Sequence, residues 1–207
     1  MNRIHLIIAG LVGVAAIATA VAVGVAQSGS GAATQDLNAL ATAGPDTAIV
    51  AIVNGQPITM HTIDVEYALA EEGSILDAAG RSTAALSKQE LLNREIENVL
   101  LAQAAMKAGV VVTKAEVSLA IQSGLVGPLS SPDTPAKLRQ VGLAALRANG
   151  VSLANAETDP AVRASYREFL LVERYASQSK QPRAERLAAA RASATVQIFP
   201  NVLNAPR

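Results

Sequence analysis

Residues able to do chemistry are few in this chain. The two histidines are His5, inside a long apolar run, and His61, in the first turn of a predicted helix, where it reads as an exposed residue. Neither has a second histidine or a cysteine at ligand spacing, so no metal site is expected. With His61 as the one base outside the apolar run and no serine in a nucleophile elbow, a Ser-His-Asp relay is not expected either. Glu71 and Glu72 are adjacent, so on a helix they splay by about 100° instead of converging. Glu66 and the acidic positions from Glu90 to Glu97 read as solvated faces. Gly29, Gly31 and Gly44 lack the following strand and helix of a phosphate loop. The absence of cysteine removes disulfides and thiolate nucleophiles. The residues therefore predict no enzyme and no cofactor, and they place any function in a binding surface.

The element on which such a surface depends begins at Ile49. Ile49 to Val53 is a β-rich run ended by Asn54-Gly55, a pair suited to a turn with positive φ. Pro57 is expected to prevent a regular continuation of the ladder. Thr59 is placed to cap a helix with Ile63, Tyr67 and Ala70 at helical spacing, running toward Ala79-Gly80 with a weak point at Gly73. A single strand needs a partner for its backbone groups. The other convincing β run is Ala194 to Phe199, stopped by Pro200. The sequence thus predicts a mainly α, multi-helix domain closed by a small two-stranded sheet that pairs the N- and C-terminal strands.

Between the strands, Ser87-Lys88-Gln89-Glu90 is a capping box opening a helix from Lys88 to Ala108, with Gly109 as its stop. Val110 to Val112 reads as an extended connection packing on the core. Thr113-Lys114-Ala115-Glu116 is a second capping box, for a helix ending near Gly124. A loop is expected from Gly127 to Pro135. Leu138, Val141, Ala145 and Leu146 mark a helix stopped by Asn149-Gly150. Asp159-Pro160 starts another, with Val162, Tyr166, Phe169 and Leu170 on its stripe, and a last helix spans about Pro182 to Ala192.

Ile4 to Ala26 holds no charged residue. A helix of ~22 residues spans roughly 33 Å, enough for a hydrocarbon core of about 30 Å. Arg3 precedes it, which puts the N-terminus in the cytoplasm and the remainder outside. Small residues at Ala20 to Ala22 and Gly24 to Ala26 suit signal peptidase, but the run exceeds the length usual for a cleaved signal. Residues 1–26 therefore read as a signal anchor or signal peptide, 27–47 as a flexible linker, 48–200 as the helical domain and 201–207 as a tail. The expected location is the cell membrane, single-pass with the domain extracytoplasmic, or the periplasm or exterior if the leader is cleaved.

Half of the residues are hydrophobic but only 2% are aromatic, so the core must be aliphatic and rich in alanine. Zero formal net charge removes the electrostatic basis for nonspecific nucleic-acid binding. The sum conceals an asymmetry. From Asp36 to Glu97 there are ten acidic and three basic residues, and from Asn98 onward seven acidic and thirteen basic. The two faces are expected to complement each other within the fold.

Val53-Asn54-Gly55, Ile58-Thr59, the helix from Leu91 to Gly109 and the helix start from Val111 to Ile121 follow one another in an order that resembles the SurA N-terminal domain, the chaperone part of SurA-, PrsA- and PpiD-type periplasmic foldases. In those foldases a parvulin isomerase domain typically precedes the closing helix and strand. Here only Ser177 to Gln181 separates the corresponding parts, so the resemblance does not carry prolyl isomerase activity over. It implies a membrane-tethered chaperone-like module that binds unfolded or nascent exported polypeptides without ATP on a concave aliphatic surface. Tyr67, Leu125, Tyr166 and Phe169 are the candidate peptide-contact residues. The alternative is a dedicated structural or interaction subunit of an envelope or secretion complex. A homodimer formed by exchange of the terminal strand is compatible with either.

Overall fold

The computed structural model describes residues 39, 47–71 and 86–204. The apolar run from Ile4 to Ala26, most of the linker and the stretch around Gly73 and Ala79-Gly80 lie outside the described residues. Among the described residues, no helix is long and apolar enough to cross a membrane.

The described stretch from residue 47 opens with a hairpin. Strands β1 (Ile49–Val53) and β2 (Gln56–Thr59) are joined by Asn54-Gly55, whose φ values of 50° and 87° are both positive, as a two-residue turn of this twist requires. β3 (Val196–Ile198) pairs antiparallel with the other side of β1, with Ala51 opposite Ile198 and Val53 opposite Val196. The two ends of the domain therefore meet as expected, but the sheet has three strands in the order β2-β1-β3, not two. Pro57 does not interrupt it, for a register reason. Val50 accepts from Phe199, and Asn54 donates to Thr195, so alternate residues of β1 bond toward β3. Pro57 lies opposite Ile52, which belongs to that set, and on an edge strand it has no ladder bond to lose.

Helix α1 (Met60–Glu71) follows directly, and Thr59 Oγ1 accepts from the Thr62 N–H at 3.4 Å. Helix α2 (Lys88–Lys107) is the axis of the molecule, about 30 Å long. Ser87 and Glu90 form the reciprocal capping box that their spacing predicts, and Gly109, with φ of 78°, ends the helix. Val110 and Val112 turn inward while Val111 is exposed, so this connection packs without becoming a strand. A second capping box, Thr113 with Glu116, opens α3 (Lys114–Ile121).

Gly124 does not end that helix. The chain widens into a π-helical turn over Gln122–Val126 and continues as α4 (Gly127–Ser130), where a loop was expected. The wide turn brings the Gln122 carbonyl against Gly127, where a Cβ would lie 2.9 Å from that oxygen, so glycine suits the close approach. Helices α5 (Ala136–Ala148), α6 (Pro160–Gln178) and α7 (Arg183–Ala192) complete the insertion. Asp159 Oδ1 accepts from the Ala161 and Val162 N–H groups, a cap that Pro160 at the first helical position complements. Beyond β3, α8 (Pro200–Leu203) buries Leu203 against the sheet, so packing extends past residue 200, where the sequence reading ended the domain.

Two aliphatic clusters flank α2. One joins the sheet, α1 and the first half of α2 through Val53, Ile58, Ile63, Leu92, Ile96 and Leu100. The other joins the end of α2 to α3, α4, α5 and α6 through Ala105, Ile121, Leu125, Leu129, Leu146 and Tyr166. A smaller alanine-rich contact, with Ala68, Ala144, Ala145 and Ala148, seats α1 on α5. The acidic and basic halves meet at Glu97 of α2, which receives Arg183 and Arg191 of α7 at 3.4 and 3.2 Å.

Candidate functional site

A cleft of about 280 Å³ opens between β2, the start of α1, the middle of α2, the end of α5 and the first half of α6. Each wall follows from local sequence. On α6, Ala161, Ala164 and Ser165 are small, so this face of the helix leaves room where larger side chains would fill it. On α2, Glu95 and Val99 are four residues apart and project on the same side. Asn149 and Val151 flank Gly150, whose φ of 71° turns the chain out of α5. Gln56, Pro57 and Ile58 contribute the free edge of the sheet.

The lining is mixed. Ile58, Val99, Val151 and Val162 supply apolar walls, while Gln56, Thr62, Ser165, Glu95 and Glu168 supply polar groups. The concave surface expected from the sequence was lined with aliphatic residues; this cleft also has two glutamates and two amide side chains in its lining.

A ladder of amides fixes one rim. Asn54 Nδ2 donates to Gln103 Oε1 at 2.7 Å, Gln103 Nε2 donates to the Val53 carbonyl at 3.3 Å and to Gln56 Oε1 at 3.4 Å, and Gln56 Nε2 donates to Glu168 Oε1 at 3.1 Å. The hairpin turn is thereby connected through α2 to α6.

The carboxylates behind this rim are unusual. Glu66 and Glu95 are 2% and 4% exposed, so they are not the solvated faces that the sequence suggested. Burial pushes the Glu66 carboxyl up to about 8, against the opposing pull of Arg94, whose guanidinium lies 3.6 Å away in an ion pair longer than a hydrogen bond. Burial also holds Glu95 well above the usual carboxylate range, and the negative charges of Glu66 and Glu168 raise it further. Glu168 is raised by burial and restrained by its bond from Gln56. Glu95 Oε2 has no hydrogen-bond partner. All three carboxyl groups thus stand raised, each chiefly by burial, and Glu95 also by the charges of the other two.

The four contact residues named from the sequence do not converge on this cleft. Leu125 and Tyr166 are buried in the second aliphatic cluster, 0% and 2% exposed, with Ala105 of α2 and Ile121 of α3. Tyr67 is half-buried beside the first cluster, with Lys88 Nζ 5.5 Å from its ring centroid, and Phe169 is half-buried on α6. His61, read as exposed, is 8% exposed, and neither ring nitrogen has a hydrogen-bond partner. The side chains of Glu71 and Glu72 lie outside the described residues.

The polar lining was missed, though a signal existed. Glu95 interrupts an apolar row formed by Leu91, Val99 and Ala102, and Glu66 stands between Ile63 and Ala70 on one face of α1. A charged residue inside an apolar stripe is the pattern of a buried, functional or paired group.

Searches of the curated proteins and of the solved structures each return no match. A family model, that of the SurA-like N-terminal domain, matches residues 2–124, more than half of the chain. The matched span includes the hairpin, α1, α2 with its capping box and the second capped helix. α6 ends at Gln178 and α7 begins at Arg183, beyond the matched span, with only residues 179–182 between them. The chain belongs to the SurA-like N-terminal domain family.

Proposed function

We propose that this protein is an extracytoplasmic, chaperone-like module that holds unfolded or newly translocated polypeptide, tethered to the membrane by its N-terminal apolar run and acting without nucleotide and without prolyl isomerisation. The observation that carries the reading is the cleft beside β2. It lies along a strand that, among the described residues, is an edge of the sheet, and it combines apolar walls with amide and carboxylate groups. Such a lining suits extended chain, whose backbone offers donors and acceptors all along its length while its side chains alternate. Membership of a chaperone-like family supports the same reading. The length and lack of charge of Ile4 to Ala26 support the tether, and Arg3 its orientation.

The test is suppression of aggregation for several chemically unrelated unfolded proteins, with no nucleotide added. Protection across the set is the expected result. Capture of one protein without protection of the others would replace this reading with that of a dedicated subunit of an envelope or secretion complex.

A further inference from the structure

We propose that the cleft is a receptor for a basic side chain, the ammonium of a lysine or the guanidinium of an arginine on the bound polypeptide, received between Glu95 and Glu168. This rests on the reading of the cleft as a polypeptide site, and it names what that site selects.

Glu95 is 4% exposed and lines the cavity; Asn98 bonds to its carboxyl, while Oε2 is buried without a hydrogen-bond partner. A buried acceptor left unmatched costs folding free energy, so its presence at a cavity wall points to a donor arriving from outside. That donor is a cation because a second carboxylate, Glu168, lines the same cavity and its negative charge disfavours that of Glu95 until a positive charge enters. Among the described residues two cations act on these carboxylates from a distance: Arg94 lowers Glu95 but is engaged by Glu66 on the inner side, and Arg167 lowers Glu168 but is exposed to solvent on α6.

The cation is organic and carried on a stem. Among the described residues no three histidine, aspartate or glutamate side chains come together to hold a metal ion. Ile58, Val99 and Val162 instead offer apolar wall for methylene groups, the part of a lysine or arginine that packs while its head is bound. β2, an edge strand among the described residues, runs past the cavity, so a main chain can lie outside while one side chain reaches in.

The test uses the full 207-residue chain in detergent micelles and three probes: a blocked Ala-Ala-Lys-Ala-Ala peptide, its norleucine counterpart and the free diamine cadaverine. The expected result by calorimetry is that the lysine peptide binds about tenfold more tightly than the norleucine peptide, the difference of one charge-assisted bond. Glu95→Gln and Glu168→Gln should each reduce that preference while circular dichroism shows the fold intact, since glutamine keeps the side-chain shape. Equal binding of the two peptides, or a preference unchanged in both variants, overturns the proposal. Cadaverine binding as tightly as the lysine peptide overturns the polypeptide assignment and makes a free amine the ligand. If the chain protects clients from aggregation but shows no lysine preference, the holding function survives and the cation receptor falls. If it prefers the lysine peptide but protects no client, the receptor stands and the holding function falls.

Discussion

Gln56 Nε2 donates to Glu168 Oε1 at 3.1 Å, joining the edge strand of the sheet to α6 across 112 positions of sequence. Gln56 in turn accepts from Gln103, which also holds the Val53 carbonyl. One rim of the cleft is therefore set by side-chain amides that fold-forming contacts alone do not require. Replacing Gln56 with leucine should lower stability by about 1 kcal/mol, the usual net value of one such bond. It should also raise the Glu168 carboxyl further, since the bond from Gln56, ahead of the charge of Arg167, lowers it. Urea denaturation and an NMR titration of Glu168 check both; an unchanged titration would show that the amide does not restrain that carboxylate.

Stability should fall as pH rises from about 4.5 toward about 8, with Glu66 the principal cause. Its carboxyl is near 4.5 when unfolded and is pushed up to about 8 by burial in the fold. The folded state then binds more protons than the unfolded state across that window, so its stabilisation is full below the lower value and is lost as pH climbs through the higher one. Glu95, raised by burial and like charge, acts in the same direction. Glu66→Gln should flatten the alkaline side of the profile. Urea midpoints across the pH range measure it, and an equally steep decline in the variant would assign the effect elsewhere.

The acidic side has the opposite sign. Hydrogen bonds from Arg174 and from Thr113 hold Glu116 down at about 2. Its contribution is complete above the unfolded value and is lost as pH falls toward about 2. Arg174→Met should therefore diminish the acid-side loss and leave the slope above pH 5 unchanged. The same urea midpoints, read below pH 5, test this.

Each capping box should be worth about 1 kcal/mol. Ser87 Oγ accepts from the Glu90 N–H at 3.3 Å while Glu90 Oε2 accepts from the Ser87 N–H at 2.8 Å. Ser87→Ala should lower the urea midpoint with no change in slope, and it should accelerate amide exchange in the first turn of α2. Protection unaltered there would mean that tertiary packing alone fixes the helix start.

Leu125→Ala should cost about 3 kcal/mol, as a fully buried leucine does when its cavity cannot collapse. Any loss of client binding should follow the unfolded fraction. Phe169→Ala, at a half-buried position, should be milder in stability. A Leu125→Ala variant that stays folded at low temperature and loses binding there would return Leu125 to the binding surface.

The parts of this fold that were legible from residues alone are those whose cause is local. Asn54-Gly55 dictates its turn through two positive φ values, Ser87 and Thr113 satisfy the first N–H groups of their own helices, and Asp159-Pro160 carries cap and first residue together. Pro57 was misjudged because whether a missing N–H matters depends on which side of β1 the next strand lies, and β3 arrives from the far end of the chain. Gly124 was taken for a stop because its flexibility was visible while the packing of Leu125 and Leu129, which carries the helix onward, was not. The cleft was illegible for a related reason. Glu95 becomes a buried carboxylate only once α6 lies across α2 and presents alanine and serine instead of larger residues.

The pairing of β1 with β3 also sets a clock on biosynthesis. A chain made from its amino end presents Ile49–Val53 well before Val196–Ile198. Until the later strand arrives the hairpin keeps one side of β1 open, and α8 has not brought Leu203 against the sheet. The distant contact cannot reward its loop closure before the helices between the two strands have been made. The sheet is consequently completed only after the helical insertion that separates its strands, and each newly made copy passes through an interval in which β1 is an open edge.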